Sequence, residues 1–144
     1  MRSPTVGRVG IYGDAPAEVE GRLREICREL PEAYEEPAWA GLCWRVRRRT
    51  VVRLLTVQRD WAPDFGDERG GTDRRTVLTF KTPAGESASL AACGFPFYLL
   101  GWGHDSVGMV LSGDTDWSEV RELVTDSYCT VAPRMLVARI ARPP

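Results

Sequence analysis

The sequence predicts an α+β domain of two layers: an antiparallel sheet of about five strands with helices on one face. Two observations point there. Apolar residues recur at helical spacing near the start and the end of the chain, and β-branched, alternating runs lie between them. The helices are separated by whole runs of strands, in the order α-βββ-α-ββ-α-α, which disfavours a doubly wound parallel sheet. A length of 144 residues, with no internal repeat and no linker, sets the count at one domain over 1–144.

The elements follow in order. Residues 1–13 are rich in small residues and read as an irregular segment. Asp14 is placed to cap a first helix with Pro16 in its opening turn, and Val19, Leu23, Ile26, Cys27 and Leu30 make one apolar stripe up to Pro31. Residues 32–42 read as a connector. Trp44 and Val46 then alternate with Arg45 and Arg47, and Thr50 to Val57 is a second β-branched run, so the pair reads as a hairpin turning near Arg48-Arg49. Residues 58–75 form a long polar loop containing Gly70-Gly71; a loop of that length in a small domain is either functional or unconstrained. Thr76 to Lys81 gives the third strand, 83–93 a short helix stopped by Gly94, and 95–100 and 107–111 two more strands. Asp116 with Glu119 opens the last long helix, which carries Val120, Leu123, Val124 and Tyr128 on one face, and Pro133 opens a final short one.

Composition narrows the function classes. Nineteen basic residues against twenty acidic ones exclude the overall positive charge of a histone-like protein but leave room for a local basic patch. Eighteen of the nineteen are Arg, a bias that base composition of the source genome explains without a function. Cys27, Cys43, Cys93 and Cys129 form no Cys-x-x-Cys pair and have no His at ligand spacing, so reduced, mostly buried thiols are expected and no metal. No phosphate loop, dinucleotide fingerprint or nucleophile elbow is present, so neither a cofactor nor an enzyme activity is expected. No apolar run reaches the length of a membrane span and 1–13 lacks a hydrophobic signal core, which leads to the expectation of a cytoplasmic protein without a membrane partner.

Three constellations remain. Arg45, Arg47, Arg48, Arg49 and Arg53 gather on one predicted hairpin. Exposed together they would meet nucleic-acid phosphates; the competing reading is a solvated strand face neutralised by Glu29, Glu32, Glu35 and Glu36 just upstream or by the acids of the 58–75 loop. Trp39, Trp44, Trp61 and Trp102, with His104, are candidates for the wall of a pocket for a planar small molecule, although core packing accounts for most aromatics of this kind. His104-Asp105-Ser106 are sequence neighbours whose side chains diverge, so they make no triad, and His104 reads as a turn residue.

The order of these motifs resembles the MmcQ/YjbR-like family of small bacterial proteins. The likeness is carried by Leu23-Arg24-Glu25 through Leu30-Pro31-Glu32-Ala33 and Glu35-Glu36 to the Trp44–Thr50 hairpin. It continues through Phe97–Leu111 around His104-Asp105, then Asp116-Trp117 through Ser127-Tyr128 to Ala132-Pro133-Arg134. Two features depart from it: Arg48-Arg49 stands where such hairpins often carry Gly, and the 58–75 loop is longer and more charged. The resemblance implies an α+β fold like that of secretion chaperones, a double-wing arrangement, and a DNA-binding label that itself rests on fold analogy. It implies no fixed set of site residues. A family member from an antibiotic biosynthesis cluster makes drug binding or sequestration a second implied role. The expected protein is thus a non-catalytic binder, of DNA through the Arg hairpin or else of a small planar ligand. A third expected role is as an adaptor accepting a partner's strand at the hairpin edge. Either a monomer or a homodimer is compatible with all three.

Overall fold

Side-chain alternation divides this chain between two faces of one sheet. The computed structural model describes residues 11–13, 15–38, 40–58, 74–100 and 105–140. Its elements are β1 (Ile11–Gly13), α1 (Ala17–Arg28), β2 (Tyr34–Pro37), β3 (Leu42–Val46), β4 (Arg49–Gln58), β5 (Arg74–Lys81), α2 (Ser87–Ala91), β6 (Phe97–Leu99), β7 (Ser106–Leu111), α3 (Trp117–Val131) and α4 (Arg134–Val137). Six strands run in the order β2-β3-β4-β5-β7-β6, all neighbours antiparallel, and β1 pairs with the far end of β4.

The α+β class and the order of helices agree with the sequence reading, but the sheet is wider than five strands. Two members were missed: β1 stands at the end of the 1–13 segment read as irregular and is a strand only through its pairing with β4, and β2 was taken as part of a connector because Tyr-Glu-Glu-Pro has neither alternation nor β-branched residues. β2 is an edge strand held by pairing with β3, from Tyr34 opposite Arg45 to Pro37 opposite Leu42. Most of the proposed 58–75 loop lies outside the described residues; its ends belong to β4 and β5, which reach Gln58 and start at Arg74.

One face of the sheet buries the main core. Trp44, Val46, Val52, Leu54, Leu78, Phe80, Val107 and Met109 meet Leu23, Ile26 and Cys27 of α1 and Val120, Val124 and Tyr128 of α3. Burial raises the Cys27 thiol to about 12, so it is an inert apolar filler. The opposite face carries a second, smaller buried cluster, Ala40, Leu55, Val57, Val77, Tyr98 and Val110. Val77 and Val110 place β5 and β7 in this second cluster. On β4 and β5 the even-numbered residues 52, 54, 78 and 80 face the helices, and the odd-numbered 55, 57 and 77 face away.

The helices are positioned by polar contacts as well as packing. Asp116 caps α3 as expected, its carboxylate accepting from the Ser118 and Glu119 amides. Asp14 lies outside the described residues; Pro16 stands at the N-cap of α1, which has no side-chain cap. Ser127 of α3 is fully buried; its hydroxyl donates to the Val51 carbonyl at 2.6 Å and accepts from the Lys81 amide at 2.9 Å. Those two groups face each other just past the last β4–β5 pair, Val52 with Phe80, so the hydroxyl stands in for the next ladder bond. Tyr128 donates to the Pro31 carbonyl at 2.6 Å and ties α3 to the turn after α1.

The four glutamates from the end of α1 through β2 are all paired. Glu29 meets Arg121 at 2.7 Å, Glu32 meets Arg47 at 2.7 Å, Glu35 meets Arg24 at 2.7 Å and Glu36 meets Arg45 at 3.7 Å. Hydrogen bonds from Arg47 and Arg24 hold the Glu32 and Glu35 carboxyls below their ordinary value, and the Ser118 hydroxyl does the same for Asp116. Depressed folded-state values mean stability that is complete above the unfolded values and is lost as pH falls through the folded ones. The melting temperature should therefore be flat above about pH 5 and fall below it. Replacing Arg24 and Arg47 together by Ala should make that acid limb shallower in a melting series from pH 6 to pH 2.5. An unchanged limb would refute the assignment.

Candidate functional site

The hairpin of β3 and β4 turns one residue earlier than its sequence suggests. Val46 pairs with Arg49, leaving Arg47 and Arg48 as the two turn residues, with φ of 50° and 72°. Two consecutive positive values define a type I′ turn, the geometry that matches strand twist and normally takes Asn-Gly. Arginine has a Cβ and is strained there. The Arg45 guanidinium donates to the Arg48 carbonyl and braces the turn from below. Between Trp44 and Arg45 the register slips, which lets Trp44 stay on the core side.

The five predicted arginines do not form one patch. Arg45 and Arg47 are engaged by Glu36 and Glu32, so the charge-neutralised reading holds for them. Arg47 also sits in the turn rather than on the outer face of a strand. Arg48 and Arg49 are exposed at the tip, and no described carboxylate pairs with either. Arg53 lies farther down β4, opposite Cys43 and Thr79, on the sheet face turned away from α1 and α3. The hairpin offers no open edge to a partner strand, because β3 is covered by β2 and β4 by β5.

The aromatic set separates differently. Trp44 is buried in the main core, because its place on β3 turns it toward the helices. Trp39, Trp61, Trp102 and His104 lie outside the described residues. Asp105, next to His104, has φ of 57°, and its carbonyl accepts from the Thr82 amide at 2.8 Å, which is a turn role. Among the described residues no three Asp, Glu, Cys or His are grouped to hold a metal, and no helix is long and apolar enough to cross a membrane.

The YjbR family model matches residues 28–130. The chain belongs to the YjbR family. None of the curated proteins searched matches it. The matched stretch runs from the end of α1 through most of α3, so the glutamate turn, the Arg hairpin and the Ser127 contact all fall within this YjbR region.

Two features of this YjbR domain had no counterpart in the sequence reading. A cleft of about 370 Å³ opens between the end of β5, α2 and α3, lined by Phe80, Lys81, Pro83, Leu90, Leu123 and Asp126. No motif marks it, since its walls come from three separate segments. The second is a set of guanidinium Nε atoms on Arg45, Arg53 and Arg75 that are buried and have no hydrogen-bond partner. Alternation could have found their common face, had the β5 strand been started at Arg74 instead of Thr76.

Proposed function

We propose that this YjbR protein is a non-catalytic nucleic-acid binder whose contact point is the tip of the β3–β4 hairpin. One observation supports the reading above its competitors: Arg48 and Arg49 are exposed and unpaired by any described carboxylate, on a turn that would be more relaxed with glycine. Retained backbone strain is a marker of function, because it persists where a side chain is needed at that point. Arg47 and Arg45, tied to Glu32 and Glu36, fix the base of the wing and contribute less to phosphate contact. Two free guanidinium groups give weak, sequence-independent, salt-sensitive binding of duplex DNA. A cytoplasmic setting accords with four free cysteines.

The Arg48→Gly variant separates this role from a structural one. Glycine relieves the turn by about 1 kcal/mol, so the variant should melt slightly higher than the parent. It should also bind a fluorescein-labelled duplex more weakly in anisotropy titrations. The double variant Arg48→Ala, Arg49→Ala should reduce the slope of log affinity against log salt by about 2. Undiminished binding by both variants, or no binding by the parent at low salt, would overturn the proposal.

A further inference from the structure

The cleft between the end of β5, α2 and α3 brings apolar walls and charged groups around an open space of about 370 Å³. That volume lies at the small end of the range for sites that take organic ligands. The space follows from how the elements pack. The helix α2 lies against β6 and β7 and buries none of its five residues. Leu90 of α2 and Leu123 of α3, both lining the gap, stay half-buried, while Phe80 from the main core supplies the floor.

The walls are held in place without a ligand. The Thr82 amide donates to the Asp105 carbonyl at 2.8 Å, and the Lys81 amide donates to the Ser127 hydroxyl at 2.9 Å. These bonds fix the end of β5 against β7 and α3, so the site is formed in advance, as small-molecule sites usually are.

The charge of the lining is unequal. Lys81 is its one ammonium group, and Glu86 and Asp126 are its two carboxylates. However Lys81 and Asp126 are paired, the lining as a whole keeps one negative charge in surplus. A recess with low-dielectric walls concentrates the field of such a surplus and attracts the opposite charge. Glu86 is exposed and Asp126 half-buried, which puts the carboxylates toward the mouth and the apolar groups beneath.

We propose that this cleft binds a small organic monocation, with an apolar ring on Phe80 beside Leu90 and Leu123 and an ammonium group at Glu86 and Asp126. The inference goes beyond the hairpin reading and is independent of it, since Arg48 and Arg49 take no part.

The test is a titration of the 15N-labelled full chain with tryptamine, and with indole-3-propionate as the control of the same ring and chain length but opposite charge. Tryptamine should bind at least about tenfold tighter. Its amide shifts should centre on Lys81, Leu90 and Leu123. Glu86→Gln should remove most of the preference for the amine, and Glu86→Lys should reverse it; the exposed position keeps both variants folded. Arg48→Ala with Arg49→Ala should leave tryptamine binding unchanged. Cys93 gives a second readout, because it is the exposed member of the four cysteines and lines the same cleft. Saturating tryptamine should slow its alkylation by iodoacetamide and leave that of Cys129 as it was. Equal affinity for the two indoles, a preference indifferent to Glu86, shifts centred elsewhere or an unprotected Cys93 would each overturn the proposal. DNA binding that fails while tryptamine still binds would sink the hairpin reading alone.

Discussion

Gly41→Ala should destabilise the domain by about 3–5 kcal/mol, combining a left-handed backbone penalty with forced overpacking. Gly41 has φ of 74°, and a Cβ on it would press into the Leu54 carbonyl oxygen and stand 2.9 Å from the Leu55 Cβ. The obstruction is backbone on an interior strand, so no rotamer change relieves it. β3 has to move off β4 at the pair Leu42 with Leu54, and the Ala38 amide, which donates to the Gly41 carbonyl at 3.0 Å, is drawn along with it. On a chain of this length the loss corresponds to a fall in melting temperature of about 10 °C or more. Circular dichroism melts of parent and variant decide the matter; a fall of only a degree or two would mean that the close approach is not needed.

Ser127→Ala should cost about 2–4 kcal/mol, a large effect for removing one oxygen. The serine hydroxyl is the partner of both the Val51 carbonyl and the Lys81 amide, at 2.6 and 2.9 Å. Its loss strands an acceptor and a donor at once, at the point where α3 is pinned to β4 and β5. Amide exchange reads this locally: protection at Lys81 and Phe80 should fall more than at Leu78, deeper in the same strand. Uniform loss along β5 would argue for a general packing effect instead.

The sequence made most of this architecture readable. The α3 stripe and its Asp116 cap were explicit, as were the alternation of β3 and the β-branched run of β4, because periodicity and capping are local properties. β2 was not legible, since Tyr34–Pro37 becomes a strand only by pairing with β3. The turn was misplaced by one residue because nothing about Arg47-Arg48 announces a type I′ geometry; tertiary bracing by Arg45 and Glu32 holds it. At the candidate site, the crowding of arginines was plain in the sequence, but their division was not. Which guanidinium meets a glutamate depends on where α1 ends relative to β3, and that is set by the packing of Tyr128 under Pro31. The burial of Trp44 was not legible, because alternation gives two faces without saying which one is covered by helices.

The narrow margins of the sheet have a consequence for the protein at high concentration. One margin is β2, four residues with two glutamates and a proline, and the other is β6, only three residues long. Proline removes a donor from the rim, and the carboxylates repel the rim of an approaching copy. Lateral growth of one molecule's sheet into another's is thereby disfavoured at β2 and at the short β6. Fibrils, if forced, should begin in strong acid, where Glu35, held below its ordinary value by Arg24, takes up its proton and the β2 rim loses charge.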